Sequence, residues 1–198
     1  MKARISIQIF AFLSLNALVS LSLSAQSPHQ IWAGLQGGYA ISGTGDRDGF
    51  VAHLEMGKYW GKQFKAGLGL SVAGFDNGVY LPAADNKAAA VSLEANAYYR
   101  LFPNSVFQIE IGAGPHLQFW DWQYRTDQNT SIFISGEDIL ILPNQKVSFD
   151  QTQIGYNVSL GLIFALDTKW DIGIWGVHQN GNQGNNISSL RAGLSMRL

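Results

Sequence analysis

Apolar and polar residues alternate along most of the chain after residue 25. In VSLEANAYYRLF (91–102) the odd positions are mostly apolar, whereas the even positions include Glu94, Asn96 and Arg100. Successive side chains of a strand point to opposite faces, so this pattern predicts a strand with one apolar and one polar face. Eight stretches have this character, at about residues 30–41, 50–60, 64–74, 89–101, 106–119, 150–166, 169–178 and 187–198, and no long window keeps a helical period. The sequence predicts an all-β protein.

The connections between these strands alternate between short and long. Short turns follow the second, fourth and sixth strands (61–63, 102–105 and 167–168), and longer polar loops follow the others (42–49, 75–88, about 120–149, and 179–186). Tight turns at one end and long loops at the other are typical of even-stranded membrane barrels. The predicted fold is an eight-stranded antiparallel up-and-down transmembrane β-barrel.

The polar face carries many glycines, which leave room inside a narrow barrel for long neighbours. We therefore expect the polar face to line the lumen and the apolar face to contact lipid. An eight-stranded barrel is just wide enough for its own side chains, so the inward charges should pair and plug it. The predicted network comprises Glu55, Lys65, Glu94, Arg100, Glu110, Asp171, Arg191 and Arg197. Aromatic residues near the strand ends are expected to form girdles at the membrane surfaces. Those near the short turns are Tyr59, Trp60, Phe64, Tyr99, Phe102, Phe107, Phe164 and Trp170, and those near the long loops are Tyr39, Phe75, Phe119 and Trp120.

The first 25 residues have a basic start, an apolar run and small residues at the end, which is the layout of a signal peptide. The predicted division is a cleaved signal peptide (1–25) and a barrel domain (26–198). Without Lys2 and Arg4 the formal charge changes from −1 to −3, so no basic surface for nucleic acid is expected. The absence of Cys excludes disulfides, thiolate metal sites and a Cys nucleophile.

Three stretches carry a resemblance to a known class: FKAGLGLSVAGF (64–75), WDIGIWGVHQNGNQGNN (170–186) and LRAGLSMRL (190–198). They resemble the small eight-stranded outer-membrane barrels, in particular the PorT-like outer membrane protein β-barrel domains. The resemblance covers the whole mature chain and implies an integral outer-membrane protein without a cofactor. The implied role is non-enzymatic, and structural, adhesive or concerned with small solutes.

Catalytic and metal sites are weakly supported by the sequence. Outer-membrane lipid A deacylases carry a His-x-Ser-Asn motif, but the similar stretch here reads His178-Gln179-Asn180-Gly181, without the serine. A histidine base with no hydroxyl to activate has no role in acyl transfer. His53 and Glu55 share a face, yet no further metal ligand follows at a recognisable spacing. We predict neither a catalytic residue nor a bound metal.

The long third loop holds two apolar stretches, SIFIS (131–135) and DILIL (138–142), on either side of Gly136-Glu137. This pattern predicts a hairpin above the membrane. Its apolar side chains either pack on nearby aromatics or form an exposed patch for an extracellular protein, glycan or lipid. The candidate contact residues are Trp122, Tyr124, Ile132, Ile134, Ile139 and Ile141.

Three other classes remain open on the sequence. A lipid A-modifying barrel enzyme is disfavoured by the missing serine. A soluble exported lipocalin-like carrier would have the same strand number, with the apolar side chains turned into a cavity for an apolar ligand. A pore would have the predicted faces but an open lumen.

Overall fold

Eight long strands and one short hairpin make up the described part of the chain. The computed structural model describes residues 30–43, 47–76, 87–125, 132–134, 139–141, 146–182 and 184–198. The strands are β1 (Ile31–Ser42), β2 (Arg47–Trp60), β3 (Phe64–Asp76), β4 (Lys87–Leu101), β5 (Phe107–Arg125), β6 (Ile132–Ile134), β7 (Ile139–Ile141), β8 (Lys146–Ala165), β9 (Trp170–Gly181) and β10 (Asn186–Arg197). All eight predicted strands are confirmed.

The long strands close into a barrel in the order β1-β10-β9-β8-β5-β4-β3-β2. Every neighbouring pair is antiparallel, and closure is made by β1 and β10, from Trp32 opposite Arg197 to Ser42 opposite Ile187. Closure satisfies the backbone groups that an open sheet would leave unpaired at its edges. The short strands β6 and β7 pair separately, with Ile132 opposite Ile141. Within the described ranges no helix is long and apolar enough to cross a membrane.

The two faces of the barrel are as predicted, with polar side chains inside and apolar side chains outside. On β8 every second residue from Ile154 to Phe164 is a large, exposed apolar side chain. At about 3.3 Å per residue and a tilt of 35–45°, this stretch spans roughly 25 Å along the membrane normal. That height matches the apolar band of outer-membrane barrels. A lipocalin has the opposite arrangement, so the carrier alternative is wrong.

Strands β5 and β8 continue beyond this apolar band. They pair without a break from Phe107 opposite Phe164 to Arg125 opposite Lys146, whereas β9 ends its pairing with β8 at Gly155. The outward residues of the extension include Asp121 and Asp150, and both are exposed. The alternation pattern underestimated these two strands, which form an arm on the side of the long loops.

Inward glycines make room for aromatic rings. A Cβ atom at Gly161 would lie 2.5 Å from the ring of Trp175, and one at Gly173 would lie 2.6 Å from it. A Cβ at Gly112 would similarly meet the ring of Tyr98. The predicted reason for the glycine-rich polar face is therefore visible in the packing.

The turn between β8 and β9 is capped by one exposed aspartate. Oδ1 of Asp167 accepts hydrogen bonds from the backbone N–H groups of Lys169, at 2.6 Å, and Trp170, at 2.7 Å. These hydrogen bonds lower the pKa of Asp167 below its usual value of 3.8, because they stabilise the ionised carboxylate. The carboxylate thus fixes the start of β9.

Residues 31–198 form one compact unit. The predicted signal peptide lies outside the described residues, so its cleavage and the boundary after residue 25 stay predictions.

Candidate functional site in the barrel lumen

Five charged side chains form a network in the half of the lumen near the short turns, here called the lower cluster. Lys65 on β3 and Arg100 on β4 both contact Oε2 of Glu110 on β5, each at 3.0 Å. Arg100 also reaches Oδ2 of Asp171 on β9, at 3.1 Å. Arg197 on β10 contacts Oδ1 of Asp171, at 2.9 Å. The network therefore links five of the eight barrel strands across the lumen.

Aromatic rings surround the cations of the lower cluster. Nζ of Lys65 lies 3.9 Å from the ring centre of Trp32 and 4.5 Å from that of Tyr98. The guanidinium of Arg100 lies 5.4 Å from the ring centre of Tyr59. Such cation–π contacts add attraction when the cation is shielded from water. Tyr59 is buried at this position, so its predicted place in the girdle is wrong.

A second group of polar residues, here called the upper cluster, is centred on Glu55 and Glu94. The Tyr98 hydroxyl donates to Glu55, with its oxygen 2.8 Å from Oε2, and Asn96 Nδ2 lies within reach of both carboxylates, at 3.3 and 3.2 Å. Gln179 donates to Glu94 at 2.8 Å.

A serine and a histidine complete the upper cluster. The Ser71 hydroxyl donates to Glu94, and its oxygen lies 2.8 Å from Nδ1 of His53. Nε2 of His53 lies 3.5 Å from Glu55. The buried carboxylates are thus met by several donors each.

Arg191 is placed in the lumen, but it does not pair directly with an acid of the described residues. Its Nε donates to Ser189 Oγ at 2.9 Å. The side chain lines a small cavity together with Glu94, Asn96 and Asn157. The volume of this cavity is about 10 Å³, which is about the space that one water molecule requires. This cavity therefore has room for about one water molecule.

A cluster of aromatic side chains, here called the cap, lies in the lumen on the side of the long loops. The rings of Phe75 and Trp120 stack at 5.7 Å, those of Trp120 and Trp122 stack at 4.9 Å, and the guanidinium of Arg47 lies 4.8 Å from the Trp122 ring centre. Trp120 also donates to Gln118 at 2.8 Å. The prediction that Phe75 and Trp120 belong to an outer girdle is wrong, because both are 2% exposed. Their positions in the alternation of β3 and β5 point inward.

The candidate contact residues of the third loop are only partly described. Strands β6 and β7 pair with each other, as the predicted hairpin requires, and its place above the membrane stays a prediction. The structure places Trp122 inside the cap, where it is buried. The side chains of Tyr124, Ile132, Ile134, Ile139 and Ile141 lie outside the described residues, so their contact with a partner stays a prediction.

His178 faces outward, and the structure supplies the hydroxyl that its local sequence lacks. Ser188 lies directly opposite on β10, and its Oγ is 2.9 Å from Nδ1 of His178. The premise that no hydroxyl is near His178 is therefore wrong. Ser188 lies in β10, which pairs with β1 on one side and with β9 on the other. Its backbone N–H is therefore part of the sheet and does not form an oxyanion hole.

Among the described residues no group of three or more His, Asp or Glu is arranged to hold a metal ion. Both ring nitrogens of His116, which is fully buried beside the upper cluster, lack a hydrogen-bond partner in the described part of the chain. The site is thus a network of charged and aromatic side chains.

Sequence reasoning missed the aromatic part of this network. Trp175 donates to Glu110 at 3.3 Å, and Tyr98 bridges the two clusters. Both residues occupy inward positions of the alternation, and that signal was available in the sequence.

A closed eight-stranded barrel with an apolar outer band and a polar lumen defines a small outer-membrane β-barrel protein. The sequence matches the outer membrane protein beta-barrel domain family over residues 9–195. The chain belongs to this family, which confirms the resemblance at family level and places the protein in the outer membrane. A comparison with curated proteins gave no match.

Solved structures of small outer-membrane barrels share the fold. Neisserial surface protein A is 19% identical, with a TM-score of 0.53, over 87% of this chain and 98% of that one. A major outer membrane protein from Thermus thermophilus is 15% identical, with a TM-score of 0.54, over 87% and 100%. The attachment invasion locus protein Ail of Yersinia pestis, in complex with the heparin analogue sucrose octasulfate, is 15% identical, with a TM-score of 0.50, over 85% and 99%. At these identities the likeness concerns the fold alone.

Proposed function

We propose that this protein is a non-enzymatic, non-conducting barrel that displays its third loop on the cell surface. The observation that supports the proposal is the packing of the lumen: charge pairs link five strands in the lower cluster, and stacked rings lie at the other end. A conducting pathway needs a continuous aqueous space, which these layers interrupt. The alternative role as a pore is therefore disfavoured.

Bilayer recording tests the closed lumen. Purified wild-type protein in planar lipid bilayers should give no stepwise current, because ions would have to break the pairs around Glu110 and Asp171. A variant with Trp120→Ala and Trp122→Ala removes the cap but leaves the lower cluster, so it should also stay closed. Steady current through the folded wild-type barrel would contradict the proposal.

The arm of β5 and β8 supports a role at the surface. The large outward apolar residues of β8 begin at Ile154. The part of the strand before it, from Lys146 to Ile154, is roughly 26 Å long at 3.3 Å per residue. The short hairpin β6–β7 follows within the same loop. An extension of this length holds the loop away from the lipid headgroups, where an extracellular protein, glycan or lipid can reach it.

The charge of the barrel rim bears on the partner. The exposed outward residues at the loop end include four acids, Asp48, Asp76, Asp121 and Asp150, and one lysine, Lys87, which lies opposite Asp76, so the acids are in excess. Ail was solved with a highly sulfated ligand, but four acidic side chains at this rim would repel such a polyanion. We therefore favour a neutral or basic partner for this protein.

Deletion of residues 128–145 tests the adhesive role. Cells producing the wild-type protein should be retained on at least one of three separate coatings, namely serum protein, mucin or heparin, and the heparin coating should be the weakest. The deletion variant should lose that retention while its barrel still shifts in gel mobility on boiling. Equal retention of both variants on every coating would count against the loop as the contact site.

A further inference from the structure

The outer face of the barrel carries a groove within the apolar band. The groove crosses β1, β10, β9, β8 and β5, from Tyr39 to Ile111, and has a volume of about 640 Å³. At its centre Gly176 lies between Leu160 on one side and Leu190 on the other, in cross-strand register. The depression exists because a glycine occupies a position where the neighbouring strands present leucines.

A polar pair forms part of the groove wall. His178 and Ser188 line the groove one outward position nearer the long loops than Gly176. Their side chains share the hydrogen bond of 2.9 Å described above. Polar side chains on the lipid face are costly in the apolar band and become acceptable near its edges. The pair lies two residues below Asn186, the end of β10, so it sits at the outer-leaflet edge of the band.

We propose that this groove binds one ester-linked acyl chain of an outer-leaflet lipid, with lipid A as the occupant. The apolar walls suit the chain. One member of the polar pair, whichever does not donate in their shared hydrogen bond, can donate a hydrogen bond to an ester carbonyl or a phosphate. Four strand spacings of about 4.8 Å give the groove a length of roughly 19 Å. That length accommodates an extended chain rather than a headgroup. The site is separate from the lumen and does not depend on the proposed surface role.

Binding fits this site better than catalysis. Ser188 and His178 form a dyad without an acidic residue bonded to the imidazole among the described residues. The backbone N–H groups around Ser188 belong to the barrel ladder. Without an oxyanion hole, hydrolysis of the bound ester is not expected.

Gly176→Leu is the direct test, because it fills the groove without disturbing the barrel. A Cβ atom at Gly176 would have only the Leu160 carbonyl oxygen near it, at 4.0 Å. Gly74→Leu is the matched control: Gly74 also faces outward, on β3, and a Cβ there would meet nothing within 4 Å. A second variant, His178→Phe with Ser188→Ala, keeps a ring of similar size and removes both polar groups.

The measurement is native mass spectrometry of the folded barrels mixed with lipid A, and separately with phosphatidylethanolamine. Wild type and Gly74→Leu should each retain one lipid A. Gly176→Leu should lose at least tenfold in affinity, and the polar double variant about tenfold. Folding of each variant is checked by its shift in gel mobility on boiling.

Three results would overturn the proposal. The first is equal retention of lipid A by wild type and by both groove variants. The second is retention of phosphatidylethanolamine by the wild type as strong as that of lipid A, which would remove lipid A as the occupant. The third is release of free fatty acid from lipid A, which would show that the site is catalytic.

Discussion

Glu110 is the side chain whose replacement should most disturb the lumen. Its Oε2 accepts hydrogen bonds from Lys65 and Arg100, each at 3.0 Å, and its Oε1 accepts one from Trp175 Nε1 at 3.3 Å. Glu110→Gln keeps the shape of the side chain but removes one of the two negative charges that face the three cations of the lower cluster. Removal of one partner from a buried ion pair typically costs about 3–5 kcal/mol. We expect a loss of this size in the free energy of unfolding.

Lys65→Met supplies the control for this prediction. Alone it leaves two cations and two acids in the lower cluster, so its destabilisation should be smaller. Combined with Glu110→Gln it should recover about 0.5–3 kcal/mol relative to the sum of the single effects, the usual coupling between contacting residues. Urea unfolding in lipid vesicles, followed by tryptophan fluorescence, measures all four proteins. A loss below about 1 kcal/mol for Glu110→Gln, the value of a solvated surface pair, would refute the reasoning.

Three further predictions concern other parts of the barrel. Gly161→Val should destabilise the barrel by about 1–3 kcal/mol through the clash with the Trp175 ring. Adding Trp175→Leu to this variant should restore stability in urea unfolding, and no restoration would exclude the clash as the cause. Asp121→Asn should stabilise the arm by about 0.2–1 kcal/mol, because Asp121 lies directly opposite the like charge of Asp150; an effect that persists in high salt would argue against charge repulsion. Asp167→Ala should lower the free energy of unfolding above pH 3.8, where the wild-type carboxylate is ionised in both the folded and the unfolded state. The difference from wild type should vanish as the pH falls through the depressed folded pKa of Asp167. A difference that is independent of pH would contradict the capping role.

The alternation of side chains was sufficient to predict the strands, the faces and the fold. The period of two in β4 places Glu94 and Arg100 inside the barrel, regardless of which residues they pair with. The alternation of short and long loops predicts an up-and-down strand order. The pairs themselves could not be predicted, because contacts such as Arg100 with Asp171 cross the lumen between strands that are not neighbours.

The errors at the strand ends have one physical cause. Aromatic residues suit both a membrane surface and a narrow lumen with small neighbours, so their type does not decide their side. Phe75 and Trp120 follow the alternation inward, where they stack into the cap. The partner of His178 depended on the register of β9 and β10, which brings together residues ten positions apart. A motif search along the chain does not detect such a pair.

The most direct test of the account is a nitroxide scan along β8, the strand that passes from the arm through the whole apolar band. Because the chain has no cysteine, single variants such as Leu160→Cys and Ser148→Cys can be labelled at one position. In lipid vesicles the label at position 160 should be relaxed by oxygen and protected from a water-soluble nickel reagent, and the label at position 148 should show the reverse. Access of the nickel reagent to position 160 in the folded barrel would contradict the assignment of the apolar face to lipid.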